Sequence, residues 1–252
     1  MLAKRVVAAL DIKDGEVVKG TNFRDLRSAG DPLTLAKKYE RSGIDELVLL
    51  DIHATLEERK IFSELVEKVA AELSVPFTVG GGIRKVKTAR EMVRKGADKI
   101  FVNTAAVEDP SMVVKLNQVI GASNLVIAID GKRDGDDWKV FTHGGKKGRD
   151  LNAVEWAKRV EELGAGEILL TSMDTDGTKN GFDIPFIERV CNEVDIPVIA
   201  SGGAGRPEHF MSAFKADASA ALAASIFHYE EYTVKELKSE LKRSGIDVRM
   251  PY

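Results

Sequence analysis

The sequence contains a single cysteine, Cys191, among its 252 residues. One thiol cannot close an intramolecular disulfide and cannot supply a cysteine-cluster metal site. The four histidines, at positions 53, 143, 209 and 228, are scattered and lack the spacing of metal ligands. We therefore expect a protein that needs neither a metal ion nor another cofactor.

Long apolar runs and a strong charge of either sign are also missing. No apolar run approaches the ~20 residues that are needed to span a bilayer. The 37 Lys and Arg residues and the 40 Asp and Glu residues give a formal net charge of −3, so the composition shows no nucleic-acid footprint. The first residues are typical of a β-strand rather than of a signal peptide. These features predict a cytoplasmic globular protein that binds neither nucleic acid nor membrane.

Short runs rich in Val and Ile alternate along the chain with amphipathic stretches. The eight candidate strands are Arg5–Asp11, Glu46–Asp51, Phe77–Gly80, Lys99–Asn103, Leu125–Asp130, Glu167–Ser172, Val198–Ser201 and Ala220–Ala223. Helical spacing of apolar residues marks Leu56–Leu73, Val154–Leu163 and Val234–Leu241, and Asp31-Pro32 is a plausible helix start. This alternation implies a parallel sheet with right-handed crossovers, either closed or doubly wound. No linker divides the chain, so we expect a single domain over residues 1–252.

An internal repeat favours the closed sheet. Four segments recur in the second half of the chain at an offset of 119 to 121 residues. The matched pairs are Ala9–Asp11 with Ala128–Asp130, Gly43–Asp51 with Gly164–Ser172, Val79–Ile83 with Ala200–Ala204, and Asn103–Ala105 with Ala224–Ile226. Two homologous halves of four βα units close naturally into eight strands. The sequence therefore predicts an α/β protein with a (β/α)₈ TIM barrel built from two half-barrels.

Two carboxylates, Asp11 and Asp130, end apolar strands at equivalent places in the two halves. A carboxylate in that position is costly unless it is solvated, paired or used in chemistry. Catalytic residues of such barrels project from the carboxyl ends of the strands. We interpret the pair as a general acid and a general base on opposite sides of one mouth, although two loop-capping aspartates would give the same pattern. Lys13 and Lys19 could add positive charge nearby.

Two glycine-rich segments, Val79–Ile83 and Ser201–Gly205, follow the third and seventh strands. Glycine lets the backbone approach an anion and point its N–H groups toward it. After the next strand of each half, Asn103-Thr104 and Ser225 can begin a short helix, whose N-terminus favours phosphate. The alternative is a pair of tight turns with helix caps. Two symmetric sites predict a long substrate with a phosphate at each end, and residues 174–181 add hydrogen-bonding groups beside the second site.

Four charged residues begin apolar strands at the opposite end of the predicted barrel. They are Arg5, Glu46, Lys99 and Glu167. Their placement predicts a charged ring at the amino-terminal face. Salt bridges between strand starts are the simplest account of such a ring.

Several longer segments resemble the cyclase subunits of imidazole glycerol phosphate synthase, a family of histidine biosynthesis. The resemblance runs from Met1 to about Val248. Its most specific segments are Leu10–Gly15, Val17–Gly20, Gly30–Pro32, Thr78–Ile83, Gly96–Lys99, Asn103–Val107, Gly164–Asp174, Asp176–Thr178, Ile199–Gly205 and Leu222–His228. It implies a lyase that takes ammonia and a bisphosphorylated aminoimidazole-carboxamide ribulosyl compound. The implied products are imidazole glycerol phosphate and aminoimidazole carboxamide ribonucleotide.

The resemblance also implies residue roles. Asp11 and Asp130 match the acid–base pair, with Asp11 suggested as acid and Asp130 as base, and Lys19 is placed with the substrate-binding residues. One phosphate site would comprise Gly82, Asn103 and Thr104, and the other Asp176, Gly177, Gly203, Ala224 and Ser225. Arg5, Glu46, Lys99 and Glu167 match an ammonia gate at the barrel floor, and Asp98 matches an interface aspartate. The implied partner is a glutaminase subunit that docks at this floor in a heterodimer.

Three positions depart from the family pattern near the mouth. Ala9 stands where cysteine is usual, His53 where threonine is usual, and Phe101 where a small polar residue is usual. Strand alternation predicts that Phe101 points into the barrel. These departures leave open a reconstructed or engineered barrel retuned for another proton-transfer reaction. The sister phosphoribosyl isomerase of the same pathway is a further alternative, because it shares the half-barrel repeat, both aspartates and a similar substrate.

Overall fold

The strands and helices alternate along the chain in the computed structural model. It describes residues 2–21, 24–52 and 56–251, apart from the side chains of residues 19–21, 24–29 and 56–61. The strands are β1 (Arg5–Lys13), β2 (Glu16–Thr21), β3 (Arg24–Gly30), β4 (Glu46–Asp51), β5 (Phe77–Gly80), β6 (Lys99–Val102), β7 (Leu125–Asp134), β8 (Asp137–Thr142), β9 (Lys147–Asn152), β10 (Glu167–Ser172), β11 (Val198–Ser201) and β12 (Ala220–Ala223). The helices are α1 (Pro32–Arg41), α2 (Leu56–Glu72), α3 (Val86–Arg94), α4 (Thr104–Glu108), α5 (Ser111–Ile120), α6 (Ala153–Glu162), α7 (Ile184–Cys191), α8 (Pro207–Lys215), α9 (Ser225–His228) and α10 (Val234–Arg243).

Eight parallel strands close into a barrel. Their order around the ring is β1, β4, β5, β6, β7, β10, β11 and β12, and β12 pairs with β1 to complete it. Each neighbouring pair in the ring is parallel. All eight predicted strands are barrel strands, so the predicted (β/α)₈ barrel is confirmed and the doubly wound alternative is wrong. Strands four places apart, such as β1 and β7 or β6 and β12, lie on opposite sides of the axis.

Two antiparallel ribbons, which the sequence did not predict, extend the first and fifth barrel strands. β2 and β3 follow β1, while β8 and β9 follow β7. Their equivalent places repeat the two-fold organisation of the chain. The sequence of β9, Lys-Gly-Arg-Asp-Leu-Asn, lacks the apolar alternation that would mark it as a strand. Its side chains are exposed or half-buried, so burial did not impose a strand pattern on the sequence.

The apolar core consists of two clusters separated by the barrel wall. The larger cluster lies between the strands and the surrounding helices. The smaller cluster fills the barrel interior and comprises Val7, Ala9, Val48, Phe101, Val126, Ala128, Leu169, Ile199, Ala220 and Leu222. Because both faces of each barrel strand are covered, the strands have nearly continuous apolar sequences, as in the Leu-Val-Leu-Leu run of β4.

Helix starts follow the local capping chemistry. Asp31 caps α1, since its Oδ1 accepts a hydrogen bond from Thr34 N at 2.7 Å, and Pro32 is the first helical residue, as predicted. The three predicted helices correspond to α2, α6 and α10, with ends displaced by one or two residues. No helix among the described residues has the length and apolar character required to cross a membrane.

Candidate active site

The carboxyl ends of β1 and β7 place Asp11 and Asp130 on opposite walls of the barrel mouth. In register, Asp11 pairs with Leu50 on β4 and Asp130 with Thr171 on β10. The Asp11 side chain is 7% exposed, and that of Asp130 is half-buried. The arrangement brings two carboxylates to one cleft from symmetric positions, which is what acid–base chemistry on a bound molecule requires.

Asp130 is held by Asn103, which follows β6. Asn103 Nδ2 donates to Asp130 Oδ2 at 2.9 Å and to the backbone oxygen of Phe141 at 3.3 Å. Burial, followed by the negative charge of Asp176, raises the pKa of Asp130 to about 7, while the hydrogen bond from Asn103 lowers it. A carboxyl group with that pKa exchanges protons readily near neutral pH.

The same asparagine leaves one polar atom unused. The Oδ1 atom of Asn103 is buried and finds no hydrogen-bond partner among the described residues. A buried acceptor without a partner is costly. The sequence placed Asn103 with the phosphate-binding residues, whereas the structure directs its amide at Asp130.

The first glycine-rich segment packs closely against the neighbouring strand end. Gly81 and Gly82 have φ angles of +97° and +60°, which favour glycine. A Cβ on Gly81 would overlap the backbone of Asp51. Thr104 begins α4, and its hydroxyl accepts a hydrogen bond from His143 N at 3.0 Å. Thr104 thus ties α4 to the turn between β8 and β9.

The second glycine-rich segment repeats this construction across the barrel. Gly202 and Gly203 have φ angles of +90° and +103°, and a Cβ on Gly203 would overlap the oxygen of Gly181. The loop after β10, which contains Asp176 and Gly177, reaches this segment, because the hydroxyl of Thr175 donates to Gly202 O at 3.0 Å. Both glycine-rich turns therefore lie at the mouth on opposite strands.

The residues that precede α4 and α9 share an unusual backbone conformation. Asn103 has φ −121° and ψ −83°, and Ala224 has φ −130° and ψ −69°. Each immediately precedes a short helix, which starts at Thr104 in one half and at Ser225 in the other. The sequence offset of 121 residues is thus matched in backbone geometry. The structure brings the two predicted groups of phosphate-binding residues to equivalent, opposed positions.

The four charged strand starts form a connected ion-pair ring at the other end of the barrel. Arg5 pairs with Glu46 at 2.7 Å and with Glu167. Lys99 Nζ lies 3.0 Å from Glu46 Oε2 and 2.7 Å from Glu167 Oε2. Both glutamates are buried, with exposed fractions of 2% and 5%. Since β4 and β10 lie on opposite sides of the axis, the two cations join carboxylates across the bore.

Two further residues complete this barrel floor. Thr78, which the sequence did not single out, donates its hydroxyl hydrogen to Glu46 Oε1 at 2.7 Å. Its partner in the repeat is Ile199, so symmetry gave no signal for a polar side chain there. Asp98 is exposed, and its Oδ2 accepts a hydrogen bond from Phe77 N at 2.9 Å.

The ribbon after β7 forms a fixed wall beside the mouth. Trp138 on β8 stacks on Phe186 with ring centroids 4.7 Å apart, and its indole N–H donates to Asp183 Oδ2 at 2.9 Å. Arg133 N donates to Asp174 Oδ2 at 2.7 Å. These contacts join the ribbon to the loop after β10. The sequence missed them because they link distant segments that have no motif in common.

Phe101 points into the barrel, as strand alternation predicted. It is 7% exposed and belongs to the interior cluster, whereas its neighbours Ile100 and Val102 belong to the outer cluster. Two other predicted positions fall outside the described part of the chain: the side chain of Lys19 and the whole of His53.

A (β/α)₈ barrel with opposed carboxylates and two symmetric glycine-rich turns defines a class of small-molecule enzyme scaffold. A family model described as histidine biosynthesis protein matches residues 5–233, so the chain belongs to the family of histidine biosynthesis proteins. Within this family it is similar to the imidazole glycerol phosphate synthase subunits HisF.

The similarity extends over the full length of these relatives. The chain is 66% identical to the HisF subunit of Pyrococcus furiosus over 250 residues, which cover 99% of this chain and 100% of the relative. It is 65% identical to that of Thermococcus gammatolerans over 252 residues and 100% of both chains. It is 53% identical to that of Geobacillus kaustophilus over 252 residues, covering 99% of this chain and 100% of the relative. The resemblance predicted from the sequence is confirmed, and the cyclase is favoured over the sister isomerase.

Proposed function

We propose that this protein is the cyclase subunit of an imidazole glycerol phosphate synthase. It acts as a lyase on a bisphosphorylated aminoimidazole-carboxamide ribulosyl substrate and ammonia, in the synthesis of L-histidine. The products are imidazole glycerol phosphate and aminoimidazole carboxamide ribonucleotide, and the carbonyl oxygen displaced when the imidazole ring closes leaves as water. The observation that supports this proposal most directly is the placement of two opposed carboxylates between two symmetric glycine-rich turns.

The two phosphate groups of the substrate bind at opposite sides of the mouth. Glycine-rich turns let the backbone come close to an anion, and the first turn of a helix adds partial positive charge. The first site comprises Gly82, Asn103 and Thr104. The second comprises Asp176, Gly177, Gly203, Ala224 and Ser225. Lys19 adds a positive charge to the substrate-binding set. A substrate held at both ends must cross the mouth between the two carboxylates.

Asp11 and Asp130 exchange protons with the bound substrate. Because its pKa is raised to about 7, Asp130 can change protonation state near neutral pH, and its carboxylate form can accept a proton from the attacking ammonia or the closing ring. Asp11, on the opposite wall, donates a proton to the substrate atom that leaves when a bond breaks.

The floor of the barrel receives ammonia from a partner. The relatives are named as subunits of a synthase, and a subunit implies another chain. We assign that partner as a glutaminase, docked around Asp98 in a heterodimer. Ammonia then enters through the ring of Arg5, Glu46, Lys99 and Glu167, whose ion pairs must separate to admit it.

Ammonium-dependent turnover of the bisphosphate substrate by the chain alone tests this function. Asp11→Asn and Asp130→Asn should each lower kcat by roughly 10²-fold or more, the range for loss of a general acid or base. Asp136→Asn, an exposed aspartate at the ribbon tip, is the matched control and should leave kcat unchanged. Full turnover by either active-site variant would refute the assigned roles. Absence of turnover by the unaltered chain would refute the function itself.

A further inference from the structure

The inward side of β6 carries three residues at successive levels of the barrel. Lys99 belongs to the charged ring at the floor, and Asn103 binds Asp130 at the mouth. Phe101 lies between them with its ring in the interior cluster. A molecule that travels from the floor to the mouth must therefore pass the phenyl ring of Phe101.

The ring of Phe101 rests directly on the backbone of Gly80. The two residues pair in the register of β5 and β6, and a Cβ on Gly80 would overlap the Cε1, Cζ and Cδ1 atoms of the phenyl ring. Only glycine at position 80 leaves room for the ring in this orientation. The absence of a side chain at position 80 thus makes room for the phenyl ring inside the bore.

Leu222 lies on the opposite wall of the barrel interior. It lies 121 residues after Phe101 and therefore occupies the equivalent place in the second half-barrel. β6 and β12 are four places apart in the ring of eight strands, so the two side chains enter the interior from opposite sides. Both are buried members of the same apolar cluster. Between the charged ring at the floor and the mouth, the side chains of Phe101 and Leu222 thus approach the barrel axis from opposite walls.

We propose that Phe101, opposed by Leu222, is the narrowest point of the ammonia route and limits passage from the charged ring to the mouth. The inference rests on the proposed function, in which ammonia enters at the floor. Interiors of this kind are packed like crystals, so a small molecule passes only when the phenyl ring moves. An apolar constriction admits uncharged ammonia more readily than hydrated ammonium, because the ion would lose its water without gaining a partner.

The test compares two sources of ammonia for the same chemistry. The chain alone, supplied with ammonium chloride, receives ammonia through the open mouth. The complex with its glutaminase subunit, supplied with glutamine, receives it through the floor. For the unaltered complex we expect more glutamate than imidazole glycerol phosphate, because slow passage lets part of the ammonia escape at the interface. Phe101→Ala should bring the ratio of glutamate to product toward one and raise glutamine-dependent product formation several-fold.

Two further variants and one reference assay make the result decisive. Phe101→Leu retains apolar bulk and should change the ratio by less than Phe101→Ala, while Leu222→Ala should act in the same direction from the opposite wall. Ammonium-dependent kcat should stay within about two-fold in all three, since neither position is among the residues assigned to proton transfer or phosphate binding. A ratio unchanged by both alanine variants, or a parallel loss in both assays, would overturn the proposal. Failure of the unaltered chain to use ammonium chloride would instead refute the proposed function.

Discussion

Asn103 and Asp130 are joined by a hydrogen bond of 2.9 Å across two adjacent barrel strands. The bond stabilises the ionised form of Asp130, whereas burial and the nearby Asp176 favour the protonated form. The pKa of about 7 is the balance of these opposing effects. Changes to the two neighbours should therefore move that pKa in opposite directions.

Asn103→Ala should raise the pKa of Asp130, because the donor that stabilises the carboxylate is lost. Asp176→Asn should lower it, because a repelling negative charge is removed. The carboxyl ¹³C shift of Asp130, followed by NMR against pH in the chain without substrate, measures both changes independently of turnover. Asp136→Asn is the control and should leave the titration midpoint in place. Shifts of the same sign in both variants would contradict this account.

The raised pKa of Asp130 also predicts how stability depends on pH. The folded state binds this proton more tightly than the unfolded state, whose carboxyl has the ordinary pKa of 3.8. The resulting destabilisation is absent below the unfolded value, grows as the pH rises, and is complete above about pH 7. Asp130→Asn removes this destabilisation. At pH 8 the free energy of unfolding of the variant should therefore exceed that of the unaltered chain by roughly 1–3 kcal/mol.

Urea unfolding at pH 8 and near pH 4 provides the measurement. Near pH 4 the two chains should differ little, since Asp130 is then protonated in the folded state. A gain in the free energy of unfolding that is equal at both pH values would show that the substitution acts through packing rather than through charge.

The ion-pair ring predicts a large cost for losing one cation. Lys99→Met removes a partner from both Glu46 and Glu167, which are buried. Leaving buried charge without its partner typically costs about 3–5 kcal/mol, and this should appear in the free energy of unfolding. Lys115→Met breaks the exposed pair with Asp109 and should leave the free energy of unfolding nearly unchanged, because solvent screens exposed pairs. Similar small costs for both variants would show that the ring contributes little to stability.

A buried ion pair beyond the ring gives a second stability test. Lys238 Nζ lies 2.7 Å from Asp45 Oδ2 and donates to Gly43 O at 2.6 Å and to Arg249 O at 2.9 Å. Its three N–H groups are thereby all used, and Lys238→Met should destabilise the chain by about 3–5 kcal/mol. Lys235→Met, at an exposed position of the same helix, should be nearly neutral. Equal unfolding midpoints for the two variants would contradict the prediction.

Two glycines with positive φ should respond differently to substitution, because Gly203 lies against neighbouring backbone whereas Gly121 does not. Gly203→Ala would place a Cβ against the backbone of Gly181 and should weaken both stability and substrate affinity. Gly121 also has a positive φ, +83° with ψ 153°, but a Cβ there would meet nothing within 4 Å, so Gly121→Ala should cost only backbone strain, about 1–3 kcal/mol. Differential scanning calorimetry and titration with the substrate separate the two effects. Equal losses in both variants would mean that crowding at Gly203 is unimportant.

The alternation of apolar strands with amphipathic helices, together with the internal repeat, was enough to predict the barrel and which residues lie at each of its ends. Strands buried on both faces must be apolar along their whole length, so β4 and β10 could be recognised directly. The repeat at 119 to 121 residues fixed how many such units there are. It also placed Asp11 and Asp130 at one end and Glu46 and Glu167 at the other, because parallel strands share their direction.

The contacts that these residues make became visible only in the folded chain. The bond from Asn103 to Asp130, the charge of Asp176 near the same carboxyl, and the hydroxyl of Thr78 on Glu46 join segments 27 to 46 residues apart that no local pattern connects. The ribbons were equally hidden, since exposed strands need no apolar alternation. That Ala9 and Phe101, which differ from the usual residues of the family, retune the pocket stays a prediction. The fit of Phe101 on Gly80 emerged only from strand register, because a pairing between neighbouring strands leaves no spacing in the sequence that identifies it.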